Sequence, residues 1–99
     1  MKFFEGKRES IEQLCAKHKV RSLFAFGSVV RDELTAGSDI DLLVDIESTD
    51  PYEYTDNYFS LLEQLQQLLK RPIDLLESRG LKNRFLKAEI DRTKVPLYG

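Results

Sequence analysis

The stretch from Asp39 to Ile46 constrains the fold of this chain more than any other, because an apolar side chain occupies every second position and aspartates hold most of the positions between. Isoleucine, leucine and valine occupy every even position, and the odd positions carry Asp39, Asp41, Leu43 and Asp45. Successive side chains of a β-strand point to opposite faces of a sheet, so this period of two predicts a strand with one apolar face. The other face of the sheet is expected to be rich in carboxylates.

A long amphipathic helix is predicted over residues 51 to 70. Asp50 can cap its N-terminus, Pro51 suits the first helical position, and Glu53 completes a capping box. The basic pair at 70–71 favours the negative end of the helix dipole. The apolar stripe that follows the cap is helically spaced and consists of Tyr54, Tyr58, Leu61, Leu62, Leu65, Leu68 and Leu69.

Shorter patterns predict the remaining elements. A first helix is expected over residues 8 to 18, where Ser10 and Gln13 resemble a capping box. Apolar runs bounded by turn residues predict further strands at 21–26, 73–76 and 94–98, one helical turn at 28–33 and a last helix at 81–90.

Length and composition limit the range of functions. The 99 residues fit a single domain over positions 1–99, and 41% apolar with 32% charged residues is typical of a globular chain. The net charge of −2 disfavours direct nucleic-acid binding, since no run of lysine and arginine could follow a phosphate backbone.

Cysteine usage and hydropathy further limit the kinds of site and the cellular location that are expected for this chain. Cys15 is the only cysteine and His18 the only histidine, so neither an internal disulfide nor a zinc ligand set can form. The N-terminus lacks the apolar core of a signal peptide, and no stretch reaches the roughly 20 apolar residues that span a bilayer. The expected location is the cytoplasm, away from any membrane.

Three aspartates are the candidate metal ligands. Asp39 and Asp41 project from the same strand face, and Asp74 is flanked by Ile73 and Leu75, whose apolar side chains should send it to that same face. Converging carboxylates are what phosphoryl and nucleotidyl transfer need, and hard oxygen ligands favour magnesium. Asp45 lies about 13 Å further along the strand than Asp41 and is placed at the rim, outside the site.

Gly27 and Ser28 are the candidate phosphate-binding residues. They end an apolar strand and lead into the predicted helical turn. Glycine allows a ligand to approach the backbone closely, and the Ser28 hydroxyl can donate to a phosphate oxygen.

The spacing of these residues resembles a known pattern. Gly27-Ser28, ten further residues and Asp39-Ile40-Asp41 resemble the GS-x10-D-x-D motif of the polymerase-beta-like nucleotidyltransferase superfamily, with Asp74 in the place of its third carboxylate. The small size resembles the minimal nucleotidyltransferase (MNT) group, whose members are often antitoxins encoded beside a HEPN ribonuclease toxin.

This resemblance implies a nucleotidyltransferase fold of class α+β, a small mixed sheet with helices on one face and the acidic site on the other. It implies Gly27 and Ser28 at the triphosphate, and Asp39 and Asp41 on two Mg²⁺ ions. Asp74 would lie at the catalytic metal and promote the acceptor hydroxyl.

Position 31 also matches the family pattern, and positions 30 and 32 do not. Arg31 corresponds to an arginine that commonly follows the GS turn, where it meets phosphate. Val30 and Asp32 depart from the pattern, since alanine and glycine are common there, and Asp32 adds negative charge beside the expected triphosphate.

Two functional hypotheses of different class follow. The first is an Mg²⁺-dependent enzyme that transfers AMP from ATP to a protein hydroxyl, which the resemblance implies to be a tyrosine of a cognate HEPN toxin. The second is a binding module with a vestigial nucleotide site that neutralises a toxin by steric cover. A subunit that acts on RNA or an antibiotic is disfavoured by the acidic charge and the lack of a second domain.

Overall fold

The computed structural model describes all residues from 1 to 99 and consists of three helices and four strands joined by short turns. The helices are α1 (Arg8–Lys17), α2 (Pro51–Leu69) and α3 (Arg84–Thr93). The strands are β1 (Val20–Phe26), β2 (Ile40–Ile46), β3 (Ile73–Glu77) and β4 (Val95–Tyr98). Every predicted helix and strand is present, which confirms the α+β class.

The four strands form one mixed sheet in the order β3-β2-β1-β4. Strand β1 is antiparallel to both of its neighbours, and β2 is parallel to β3. Parallel neighbours need a long crossover connection, which α2 provides between β2 and β3. Strands β3 and β4 are therefore the two edges of the sheet.

One face of the sheet packs against α1 and α2, and this layer holds the hydrophobic core. The even positions of β2 are fully buried there, as the alternation predicted. Two tyrosines of α2 tie this helix to β3, since the Tyr54 hydroxyl donates to Glu77 and the Tyr58 hydroxyl donates to the Leu75 carbonyl. The core also includes Phe4, Ile11, Cys15, Leu23, Ala25, Leu61, Leu65, Leu69, Leu75 and Leu97.

The packing of α1 and α2 on one face of the sheet confirms the prediction. Helix α3 does not join them in the hydrophobic core. Its only buried side chain, Ile90, is not part of the core beneath α1 and α2. Just beyond its end, the Lys94 ammonium lies 4.3 Å from the ring centroid of Phe24, which projects from the opposite face of β1. Leu43, also on that face, is 3% exposed. The acidic face is thus partly covered near its centre.

The caps of α1 and α2 differ in part from their predictions. Asp50 caps α2 as expected, since its carboxylate accepts the backbone N–H of Tyr52 at 2.9 Å. Glu53 does not close a capping box and instead pairs with Lys19. The predicted box at Ser10 was wrong, because α1 begins two residues before it and has no side-chain cap.

The boundaries of α3 also differ from the prediction. This helix spans Arg84–Thr93 rather than 81–90. The Asn83 side chain accepts the backbone N–H groups of Phe85 and Leu86, so the helix starts directly after that cap. None of the three helices has the length and apolar composition needed to cross a bilayer.

Candidate active site

The pairing of β2 with β3 brings two of the candidate carboxylates side by side. Asp41 and Asp74 are direct partners in the parallel register. Their neighbours Leu42 and Leu75 are buried on the core face, so both aspartates project from the opposite face. Asp39 lies two residues before Asp41, and its negative charge raises the pKa of Asp41. The three predicted site carboxylates therefore lie together.

The proximity of these carboxylates is reflected in the acidity of Asp41. Burial raises the pKa of Asp41 above its ordinary value, and the charges of Asp74 and Asp39 raise it further. Arg31 opposes this effect and lowers the pKa. The ionised form of Asp41 is thus destabilised by its surroundings, and a nearby cation would stabilise it.

The lack of a side chain at Gly27 leaves room for the carboxylate of Asp41. Strand β1 ends at Phe26, which pairs with Asp41 across the sheet, and the chain then turns at Gly27 with φ of +74°. A Cβ atom on Gly27 would lie 2.3 Å from Oδ2 of Asp41. Sequence reasoning assigned this glycine to a bound ligand, whereas its closest neighbour is the side chain of Asp41.

Ser28 follows in a 3-10 turn, Gly27–Val29, which is shorter than the helical turn predicted over 28–33. Val29 anchors the turn in the core, and the Ser28 carbonyl accepts the backbone N–H of Glu33 at 3.0 Å. The Ser28 hydroxyl forms no hydrogen bond within the protein. It is therefore free to donate to a ligand.

Arg31 lies at the edge of the acidic cluster. Its Nε is 3.2 Å from a carboxylate oxygen of Glu33, and both side chains are more than half exposed. An exposed pair of this kind contributes little to stability, so Arg31 can exchange this partner for another anion.

Asp32 adopts the left-handed backbone region, with φ of +55°. L-residues other than glycine enter this region at a cost, and aspartate tolerates it better than most. A glycine at this position would adopt the same conformation without strain.

One residue that positions the site was missed by the sequence reasoning. Arg71 was interpreted as a favourable charge at the end of α2, but its guanidinium donates to the carbonyls of Thr35 and Ser38 at 2.6 and 3.0 Å. The backbone N–H of Ile40 also donates to the carbonyl of Pro72. These contacts fix the loop that leads into Asp39. No local sequence pattern distinguishes such a long-range partner from a solvated arginine.

Asp45 lies outside the cluster, as expected. Its carboxylate is 3.4 Å from Arg21 and 3.7 Å from Arg79, so two cations already balance its charge. It is therefore a suitable control position for the three site aspartates.

The acidic cluster is open rather than enclosed. None of the surface depressions of the molecule is lined by Asp39, Asp41 or Asp74. The protein side chains do not by themselves form a set of three ligands placed to hold an ion. Oxygen ligands and excess negative charge suit a hard cation such as Mg²⁺, whose remaining positions are commonly filled by water and substrate phosphates. The donor set thus fits a metal shared with a phosphorylated ligand.

Comparisons with known proteins identify the family of this chain. The family model described as "Nucleotidyltransferase domain" matches residues 7–96. The chain is 34% identical over 87 residues to the protein adenylyltransferase MntA of Thermococcus cleftensis, which covers 80% of this chain and 85% of that protein.

Two solved structures extend the comparison. A candidate minimal nucleotidyltransferase has a TM-score of 0.80 at 32% identity, covering 96% of this chain and 93% of the other. The complex of a tri-AMPylated HEPN toxin with an MNT antitoxin from Shewanella oneidensis has a TM-score of 0.63 at 22% identity, covering 93% and 69%, a likeness of fold alone. This chain therefore belongs to the nucleotidyltransferase domain family and is a minimal nucleotidyltransferase.

Proposed function

We propose that this chain transfers AMP from ATP, with Mg²⁺, to a hydroxyl group of a HEPN-type toxin, and that it thereby acts as an antitoxin. The observation that carries the proposal is the convergence of Asp39, Asp41 and Asp74 beside the turn at Gly27. The adenylyltransferase relative and the AMPylated toxin bound to a structural neighbour support AMP as the transferred group and a HEPN toxin as the partner.

Each site residue has a role in this proposal. Asp39 and Asp41 would hold two Mg²⁺ ions, which when bound neutralise the charge of the triphosphate and of the leaving pyrophosphate. Ser28 donates its free hydroxyl to a phosphate oxygen, and Arg31 leaves Glu33 to pair with the same group. Gly27 keeps the space around the Asp41 carboxylate clear.

Asp74 is the residue that we assign to the acceptor. It is exposed on the edge strand β3, where a second protein can reach it. The acceptor oxygen forms a bond to the α-phosphorus, the bond from that phosphorus to the pyrophosphate oxygen breaks, and Asp74 takes the hydroxyl proton. A tyrosine of the toxin is the proposed acceptor. We further propose that residues 1–99 act as one catalytic domain, located in the cytoplasm.

The direct test is modification of the toxin. Incubation of this chain with ATP, Mg²⁺ and its proposed HEPN partner should add AMP-sized mass increments to tyrosine residues of that protein. The other three nucleoside triphosphates serve as parallel reactions. If none of the four nucleotides produces an increment, the proposed enzyme activity is wrong.

Ser28→Ala is expected to weaken nucleotide use without weakening the fold. The hydroxyl forms no bond within the protein, so the thermal midpoint should stay close to that of wild type. Loss of a charge-assisted hydrogen bond to phosphate should cost about 1.5 to 3 kcal/mol in kcat/KM. A lower thermal midpoint with unchanged kcat/KM would identify Ser28 as a turn residue only.

Two substitutions of Asp32 should separate the effect of its backbone from that of its charge. Asp32→Gly should stabilise the fold by about 0.5 kcal/mol, because glycine adopts the positive φ freely. Asp32→Asn keeps the tolerance for this region, so stability should hardly change. Both variants remove a negative charge, and both should bind an ATP analogue a few-fold more tightly in calorimetry. Unchanged affinity in both would show that Asp32 does not face the nucleotide.

A further inference from the structure

The first turns of α3 present apolar side chains to solvent. Phe85 is 89% exposed and Leu86 is 42% exposed. Every residue from Lys82 to Glu89 is exposed, and Ile90 is the only side chain of α3 that is buried. Neither Phe85 nor Leu86 contributes to the core, so burial within this chain does not explain their apolar character.

The same segment is strongly basic. Residues 80–88 contain three cations and no acidic residue, although the whole chain has a net charge of −2. Lys82 and Arg84 form no ion pair, whereas Lys87 pairs with Asp91. We call the set Lys82, Arg84, Phe85, Leu86 and Lys87 the α3 surface. It combines an apolar centre with a positive border.

The helix that carries most of the α3 surface has a defined N-terminal end. It is capped by Asn83, whose side chain accepts two backbone N–H groups. A helix that is already formed loses less conformational entropy on binding than a disordered segment does, and an aromatic side chain that becomes buried at an interface contributes strongly to binding energy. The helix follows β3, the edge strand that carries Asp74, after the short connection at 78–83.

From these observations we propose that the α3 surface is the docking site for the partner protein, and that Phe85 enters an apolar pocket bordered by acidic side chains on that partner. This inference rests on the proposed function, which supplies a HEPN toxin as the partner. No cavity of this chain encloses the carboxylate cluster, so the acceptor hydroxyl has to be brought to it by a docked partner.

The charge pattern favours a protein over the two other occupants. Three cations are too few to follow a nucleic-acid backbone, and the second half of α3 carries Glu89 and Asp91. A symmetric contact centred on Phe85 would bring the three cations of each copy into one interface, and Glu89 and Asp91 already pair within their own chain, so like-charge repulsion disfavours it. An acidic protein surface would instead attract the cations of the α3 surface, and it does not require a long run of them.

The test is calorimetric titration of the proposed HEPN partner with variants of the α3 surface. Phe85→Ala should weaken binding at least tenfold, and Lys82→Glu combined with Arg84→Glu should weaken it further. All these side chains are exposed, so the thermal midpoint and the affinity for an ATP analogue should match wild type. Tyr52→Ala is the matched control, because Tyr52 is 85% exposed in the first turn of α2 and should not affect binding.

The outcomes separate this inference from the proposed function. If wild type binds and modifies the toxin and the α3 variants bind it equally well, the docking site is wrong and the function stands. Equal weakening by Tyr52→Ala would also overturn the assignment to α3. If wild type neither binds nor modifies the toxin, both proposals fail. If RNA binds wild type and the charge reversal abolishes only that binding, the α3 surface is a nucleic-acid site.

Discussion

Asp41→Asn is expected to reduce AMP transfer to the toxin by about 100- to 10,000-fold, because a shared metal ligand contributes several kcal/mol to the transition state. Asparagine keeps the size of the side chain and removes the charge that lies beside Asp39 and Asp74. The measurement is the initial rate of mass addition at saturating ATP and Mg²⁺. Asp45→Asn is the control, since Asp45 is balanced by Arg21 and Arg79, and its rate should stay near that of wild type.

The same variant should be more stable than wild type when metal is absent. Since burial and two neighbouring carboxylates raise the pKa of Asp41, the folded protein holds this proton to higher pH than the unfolded chain does. Stability is therefore lost as the pH rises from the usual carboxyl range through the raised pKa. At neutral pH, Asp41→Asn should gain up to about 1 kcal/mol, because solvent screens a partly exposed charge.

Magnesium with an ATP analogue should reverse this ranking. The ligands stabilise only a protein that binds them, so the thermal midpoint of wild type should rise by several degrees and that of Asp41→Asn should rise little. If the two proteins respond alike to metal and nucleotide, the carboxylates do not form a shared cation site.

The double variant Asp39→Asn with Asp41→Asn distinguishes enzyme from binding module. At equal abundance in cells that express the toxin, the proposed enzyme should lose its protective effect. Full protection by the double variant would instead favour neutralisation by steric cover.

Gly27→Ala is expected to destabilise the fold by about 2 kcal/mol and to lower the transfer rate at least about 100-fold. The positive φ strains any residue with a Cβ atom, and the added methyl group would lie 2.3 Å from Oδ2 of Asp41. The Asp41 carboxylate must then turn away from its position beside Asp74. Chemical unfolding and initial rates measure the two effects separately.

Gly37→Ala is the matched control, because nothing lies within 4 Å of a Cβ atom at that position. It should leave both stability and rate close to wild type. A double-variant cycle with Asp41→Ala isolates the contact, since in that background Gly27→Ala should retain only the backbone strain. If Gly27→Ala costs the same with and without the Asp41 carboxylate, the proposed fit between the two residues is wrong.

The sequence by itself determined the elements and the two faces of the sheet. The alternation along β2 depends only on the period of an extended chain, so it correctly predicted the buried even positions and the open side of Asp41. The start of α2 could also be predicted from neighbouring residues, since Asp50 caps the helix by accepting a backbone N–H two residues away. The GS and D-x-D spacing then indicated which residues the fold would bring together.

Only the tertiary structure decided how these residues meet. The register that places Asp41 beside Asp74 depends on pairing across the whole α2 crossover, and the role of Gly27 depends on where that pairing leaves the Asp41 side chain. Arg71 holds the loop before Asp39 from the far end of α2. Contacts of this kind join residues that are distant in the chain, and because they depend on the packing of all elements at once, no local pattern encodes them.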